Sequence, residues 1–264
     1  MSRWHLAELE DQPWFPANIR NCMTDLLNYL ITLFRIYDPI VPVLYKAMRL
    51  SSSQQILDLC SGGGGAVCRV QNLLKKKYNF RVSLMLSDLY PNKHACMRLQ
   101  ELKDSKISYL SQAIDATQVP KSLTGFRTLF TCFHHFDPKS AHKILSDAVK
   151  HDQGIAIFEL SERSLRGAIG PLAAVLLAFL ATPFVRPFSW QRLFFTYIMP
   201  VIPLAFLFDG IISQLRSYTH EEMLELAKKI NNKNFTWEAG FARHKLLPFR
   251  LNYLIGYKSG DNAS

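Results

Sequence analysis

Three acidic positions punctuate the first part of the chain where apolar runs end. Asp58 closes the run inside Gln54–Val67 (QQILDLCSGGGGAV), Asp88 closes a second run, and Asp115, followed by Ala116, comes after a third. Beyond Asp58 the chain breaks into four consecutive glycines, Gly62 to Gly65, and then resumes a helix-like pattern. A strand, a tight glycine turn and a helix in that order make a nucleotide cradle. The glycines let the backbone approach a ligand and take turn conformations closed to other residues. The helix aims its first amides and the positive end of its dipole at the same spot. Asp58 can order the loop or reach an amine of the ligand. A carboxylate at Asp88 can accept both hydroxyls of a ribose, and Asp115 could accept an adenine amino group. An acid-lined pocket in a basic chain suits a cationic nucleoside, such as S-adenosylmethionine (SAM) with its sulfonium and ammonium groups.

A second set of candidates follows. Phe130–Pro138 reads FTCFHHFDP. His134 or His135 could act as a general base, since histidine titrates near neutrality. Neighbours on an extended chain point to opposite faces, so at most one of the two is expected to face a pocket. A packing or loop-ordering role competes evenly with base catalysis. A metal held by His134, His135 and Asp137 is a third reading, but ligand identity alone does not set a geometry, and no metal is expected. Glu159 and Glu162 stand beside Arg163 and Arg166, where solvated ion pairs are expected more than substrate contacts. Asp209, Ser213, Arg216 and Tyr218 follow an apolar stretch. Asp209 and Arg216 could pair on one helical face, as a buried clasp anchoring that stretch or as a substrate site.

The elements that must carry these residues can be read from periodicity. Residues 1–50 form a helical preface, with a helix starting at Pro16 and apolar positions at Ile19, Met23, Leu26, Leu27, Leu30 and Leu33. Strands are expected at Ile56–Leu59, Arg81–Ser87, Ile107–Leu110, Phe126–Phe133 and Gly154–Leu160. Helices are expected between them at Ala66–Lys77, Asn92–Lys103 and Pro138–Lys150. Such alternation implies a parallel, doubly wound sheet with the strand ends on one binding edge. The pattern stops at Arg166. Ala168–Val185 and Leu193–Phe208 carry no charge, yet each is short of the roughly 20 apolar residues that cross a bilayer, and prolines interrupt them. Residues 161–218 are therefore read as an apolar insertion, a substrate flap or a segment dipping into one leaflet. Thr219–Asn231 then reads as a capped helix, with Glu222 three residues after Thr219. Phe235–Phe241 and Leu251–Tyr257 close the chain as an antiparallel pair. The whole is expected to be one domain, with 51–160 as its cofactor-binding half and 219–258 as its closing elements.

Composition narrows the setting. The 264 residues carry a formal net charge of +10, 48% hydrophobic residues and only 20% charged ones. Oiliness with positive charge suits the face of an anionic membrane better than nucleic acid. The basic residues are dispersed, without a dense patch interleaved with aromatics, so a nucleic-acid partner is not expected. The five cysteines, Cys22, Cys60, Cys68, Cys96 and Cys132, include no C-x-x-C pair and are odd in number. A reducing cytoplasm follows. Acids stand where a signal peptide would place its apolar core, so export is not expected.

From Gln54 to Leu160, with the tail strands also fitting, the chain resembles the class I SAM-dependent methyltransferases. Their first motif reads roughly D-x-G-x-G-x-G, against Asp58-Leu59-Cys60-Ser61-Gly62-Gly63-Gly64 here. Cys60 replaces the first glycine, a variant that resembles that of quinone-ring methyltransferases. The strings EDQPWFPANIR and DGIISQLRSYT resemble a bacterial branch of the same superfamily. The resemblance implies an α/β fold with a doubly wound, mostly parallel seven-stranded sheet, N-terminal helices and an apolar helical insertion. It also implies SAM as cofactor, bound among Asp58, Cys60, Ser61, Gly62, Gly64, Asp88, Leu89, Asp115 and Ala116, with Gly62 and Gly64 against the methionine part, Asp88 on the ribose, and Asp115 with Ala116 by the adenine. The loop of His134 and His135 would face the transferred methyl group. The expected activity is methyl transfer to a small hydrophobic or lipid-like acceptor, in the cytoplasm and with room for peripheral contact at the anionic inner face of a membrane. Two alternatives stay open: a non-catalytic, membrane-associated protein that binds SAM or S-adenosylhomocysteine (SAH), and an NAD(P)-dependent oxidoreductase. The second wants G-x-G-x-x-G, but counting from Gly62 its third glycine falls on Val67, and Asp115 has no role in it.

Overall fold

A computed structural model of the chain describes residues 3–92, 95–97, 106–160, 163, 169–244, 247 and 249–258. Among these, seven strands form one sheet: β1 (Gln55–Leu59), β2 (Ser83–Leu86), β3 (Ile107–Tyr109), β4 (Phe126–Phe130), β5 (Ile155–Glu159), β6 (Phe235–Arg243) and β7 (Arg250–Lys258). The order is β3-β2-β1-β4-β5-β7-β6. β1 to β5 run parallel, and β7 enters antiparallel between β5 and β6. The helices are α1 (Ala17–Leu33), α2 (Val41–Leu50), α3 (Gly65–Tyr78), α4 (Pro138–Lys150), α5 (Ile169–Ala181), α6 (Trp190–Leu193), α7 (Val201–Arg216) and α8 (His220–Lys228). Of the helix expected over Asn92–Lys103, residues 95–97 are helical, and most of the rest lies outside the described residues. The fourth strand is shorter than expected: it stops at Phe130, and Phe133–His135 wind into a 3-10 turn.

The chain divides into two compact units, Met1–Ile36 with Ser161–Ser217, and Tyr37–Leu160 with Tyr218–Ser264. The helical preface is thus split, with α1 in the first unit and α2 in the second. The sheet unit has its own core, where Leu57, Leu59, Leu129 and Ile157 meet Ile144, Leu145 and Met223 of the covering helices. The other unit packs Met23, Leu26 and Leu30 of α1 against Ala178, Ala181, Ile202 and Ala205. Parallel strands covered on both faces read as continuous apolar runs, which is why β1, β4 and β5 were legible.

Local chemistry sets the element ends. Asp137 caps α4 by accepting from the Ser140 amide at 2.7 Å, with Pro138 at the first helical position. Thr219 and Glu222 form the expected capping box on α8. The turn from β1 into α3 uses three left-handed residues: Cys60 (φ 58°), Gly62 (φ 52°) and Gly64 (φ 73°). Gly64 is the cap of α3, and a Cβ there would sit 2.9 Å from Leu86 Cδ1.

One buried charge belongs to the scaffold. Arg127, on the central strand β4, is fully buried and reaches Asp147 of α4 at 2.7 Å. Burial pushes its guanidinium pKa down, and the Asp147 carboxylate opposes this. Asp147→Ala should therefore cost about 3–5 kcal/mol, because it strands a buried cation. Gly64→Ala should cost about 1–3 kcal/mol from its backbone conformation alone. Urea denaturation of each variant measures both; a loss within a few tenths of a kcal/mol would contradict the assigned role.

Candidate active site

The sheet reverses its winding between β1 and β4, and the candidate residues collect at the carboxyl ends of these strands and their neighbours, the place where open α/β sheets bind ligands. Asp58, near the end of β1, is buried. Its Oδ2 accepts from Ser61 Oγ at 2.7 Å and its Oδ1 from Thr128 Oγ1 at 2.5 Å. The loop is closed further by the Ser61 amide donating to the Ser87 carbonyl at 2.9 Å, and by Ser87 donating twice to the Asp58 carbonyl. Of the two roles open to Asp58, the geometry displays loop ordering. Burial pushes its pKa up to about 7, with the two hydroxyls opposing.

Asp88, at the end of β2, joins the loop directly. Its Oδ2 accepts from the Gly62 amide at 2.8 Å, and its Oδ1 from the Tyr90 amide at 2.8 Å. Desolvation raises its pKa, opposed by these amides and by the positive charge available to His135. Leu89 and Tyr90 beside it are exposed. The Tyr109 hydroxyl donates to the Gly62 carbonyl at 2.9 Å, so a side chain from β3 holds the other side of the same glycine. The Ile114 amide donates to the Asp88 carbonyl at 2.9 Å, which brings Asp115 and Ala116 beside the end of β2. Asp115 is exposed and bonds the Thr117 amide and hydroxyl, both at 2.8 Å; Ala116 is buried. The three carboxylates expected from the sequence thus lie along one edge, linked through Gly62 and the Asp88 carbonyl.

The histidine loop departs from expectation. Because β4 ends at Phe130, His134 and His135 are not on extended chain, and the alternation argument does not apply to them. Their rings are in contact at a tilt of 33°, with centroids 4.3 Å apart. His134 is buried, and its Nδ1 lies 2.8 Å from Glu159 Oε2. Glu159 Oε1 accepts from the Phe133 amide at 2.7 Å and the His134 amide at 3.2 Å. Glu159 is fully buried, so in place of the expected solvated ion pair it makes an internal hydrogen bond that orients a histidine. Glu162 and Arg166 lie outside the described residues. Asp137 is spent on the α4 cap.

The sequence reading did not single out several partners. Thr128 sits inside an apolar strand, where its hydroxyl gives no signal of its own. Tyr37 bonds Thr131 Oγ1 through its hydroxyl and meets the Phe130 ring edge-on, with centroids 4.9 Å apart. Tyr218 was grouped with the Asp209 clasp, but its hydroxyl donates to the Phe136 carbonyl of the histidine loop at 2.9 Å. An open groove of about 400 Å³ lies at the opposite, amino-terminal edge of the sheet, lined by Ser53, Gln55, Gly125 and Gly154, and it holds none of the candidate residues.

In the other unit the expected Asp209–Arg216 pair is replaced. Asp209 accepts from the amides of Leu9 at 2.7 Å and Glu10 at 3.3 Å, and burial pushes its pKa up to about 6. Arg216 reaches Asp11 at 2.6 Å and Glu8 at 3.4 Å, and Ser213 donates to Glu8 at 2.9 Å. The residues do form a buried clasp, but what they clasp is the N-terminal strap 8–11.

No family model matches the sequence, and no curated protein matches it. Solved structures do match its fold. The plantazolicin methyltransferase BpumL in complex with SAH superposes with a TM-score of 0.61 at 12% identity, covering 95% of this chain and 94% of that one. The plantazolicin methyltransferase BamL, in complex with a triazolic desmethylPZN analog and SAH, gives 0.53 at 13% identity over 94% and 97%. An O-methyltransferase family protein from Burkholderia thailandensis gives 0.50 at 14% identity, over 90% of this chain and 60% of that one. With its seven-stranded order, single antiparallel insertion and glycine turn after β1, the chain has the fold of the class I SAM-dependent methyltransferases.

Proposed function

We propose that this protein binds SAM at the carboxyl edge of β1 to β3 and transfers its methyl group to a small hydrophobic or lipid-like acceptor. The observation that carries this reading is the bond from the Gly62 amide to Asp88, which fixes a glycine loop against a strand-end carboxylate at the mouth of α3. The fold neighbours crystallised with SAH support the choice of nucleoside. In this reading the loop from Asp58 to Gly64 meets the methionine part. Asp88 keeps lone pairs for the ribose hydroxyls, Leu89 offers an apolar face beside them, and Asp115 with Ala116 borders the adenine. Two carboxylates with raised pKa favour a cationic ligand, since a nearby positive charge relieves the cost of their burial.

The transfer itself is an attack by the acceptor on the methyl carbon. The acceptor's electron pair forms the new bond, and the pair of the old sulfur–carbon bond stays on sulfur, leaving neutral SAH. The protein supplies alignment and exclusion of water. A hydroxyl or amine acceptor must also lose a proton, and His134, oriented by Glu159, and His135, whose ring lies against it, are the groups proposed to take it. The apolar unit, with uncharged α5 and the uncharged first half of α7, is the reason for assigning an oily acceptor.

Three outcomes test the reading. Asp88→Ala should weaken SAH binding at least about a hundredfold in calorimetry, the worth of two charge-assisted hydrogen bonds, with the far-ultraviolet spectrum unchanged; equal affinity would refute the ribose assignment. SAM affinity should rise as the pH is taken up through about 7 and then level off. The sign follows because SAM prefers the carboxylate form of Asp58 whereas free protein below that pH holds the acid, so binding releases a proton. Asp58→Asn should flatten the profile, and an unchanged slope would remove Asp58 as its source. Finally, SAM should decay to SAH when a lipid extract is added. Glu159→Gln should lower that rate and shift its pH profile while SAH affinity holds; equal rates in His134→Ala, His135→Ala and the parent would exclude a histidine base.

A further inference from the structure

Exposed oil is concentrated in one unit. Among the described residues, every exposed large hydrophobic side chain other than Leu89, Tyr90, Met97 and Phe241 belongs to the unit of Met1–Ile36 and Ser161–Ser217. Much of it lies on a helical hairpin. α5 and α7 pack side by side, Gly210 lying so close to Pro171 that a Cβ would come within 3.0 Å of it, and the segment between them folds back on the end of α5, where Thr182 meets Thr196 at 3.2 Å and the Tyr197 hydroxyl donates to the Phe179 carbonyl. The inner faces, with Ala178 and Ala205, are buried against α1. The outer face of α5 is a row of Ile169, Leu172, Leu176 and Leu180, each at least 60% exposed. Leu204, Phe208 and Ile211 continue an exposed row on α7. A soluble surface seldom carries so large an apolar patch without a partner.

Charge says what the partner is. Between Ile169 and Phe208 there is no acidic residue, and the only charged ones are Arg186 and Arg192. Arg192 is buried against Asp25 and the carbonyls of Val185 and Pro187. Arg186 is exposed, and it stands between exposed Phe184 and Phe188 with exposed Trp190 just beyond. A cation flanked by aromatic rings beside an aliphatic face is the chemistry of the lipid headgroup boundary. A second copy fits worse: a two-fold interface would set Arg186 against the same acid-free patch. Length sets the depth. Among the described residues no single helix is long and apolar enough to cross a membrane. α5, with 13 residues, covers about 20 Å against about 30 Å of hydrocarbon.

We propose that the α5–α7 hairpin docks the protein on an anionic lipid bilayer, seating its leucine face in one leaflet with Arg186 at the phosphates. This does not rest on the methyl-transfer reading, since docking is read without cofactor. The full chain is floated with vesicles of phosphatidylcholine alone and of phosphatidylcholine with phosphatidylglycerol. Binding should favour the anionic vesicles, and Arg186→Glu should abolish that preference. The triple variant Leu172→Ser, Leu176→Ser, Leu180→Ser should lose about tenfold or more in partitioning per leucine replaced. Trp190 emission should be quenched by brominated acyl chains, a signal lost in Trp190→Phe, so the test survives a triple variant that fails to fold. Parent protein that stays in the aqueous fraction, or Trp190 that remains unquenched, overturns the proposal. So does a triple variant that folds and still floats like the parent. A stable dimer that the triple variant abolishes, without vesicle binding, would assign the face to a second copy instead.

Discussion

The site depends on one desolvated carboxylate. Burial penalises the charge of Asp58, and two hydroxyls, from Ser61 in its own loop and Thr128 on the next strand, offset that penalty. That arrangement ties the end of β1 both to the turn that follows and to β4. The turn needs the tie, because Cys60 takes a left-handed conformation that costs a non-glycine residue about 1–2 kcal/mol. Asp88 then holds the far side of the loop through the Gly62 amide, and Tyr109 holds its carbonyl. A loop fixed on both sides is already shaped before a ligand arrives, which lowers the ordering cost of binding. The same burial leaves Asp58 and Asp88 short of positive charge, so a cation at this edge gains from both.

The sheet unit and the apolar unit obey different rules. In the first, burial on both faces of the parallel strands makes the core, and the buried charge of Arg127 inside it is met by Asp147. In the second, short helices bury small residues on one side and leave large ones outside. Its buried charges, Asp209 and Arg216, serve to hold a strap of backbone rather than to meet each other. The strap also takes hydrogen bonds from Arg20, whose guanidinium reaches the carbonyls of Glu10, Gln12 and Phe15.

Much of this could be read from residue order because the signals were local. Apolar runs ending at Asp58 and Asp88, the glycine run, and the Thr219 capping box each announce an element or its end within a few residues. The parallel sheet followed from the alternation of strands with helices, and the antiparallel tail from the lack of a helix between its two strands. What escaped reading was non-local or depended on a chain ending early. The fourth strand looks apolar through Phe133, but it stops at Phe130, and that shift turns two histidines from opposite-facing neighbours into a pair whose rings touch. Glu159 looks like a surface acid beside arginines, whereas the end of β5 lies under the histidine loop, where two amides and a ring nitrogen receive it. Arg216 looks paired seven residues back, yet its carboxylates arrive from 205 positions or more away.

That last separation bears on how the molecule is made. The strap and α1 precede the parallel sheet in the chain, but the side chains that hold them, on α5 and α7, follow it. A nascent chain therefore carries the leucine stripe of α1 without its packing partners while the whole sheet from β1 to β5 is being translated. Contacts this far apart in sequence form slowly and leave sticky intermediates exposed. Packing of the apolar unit therefore waits until α5 and α7 have been made, whatever its equilibrium stability.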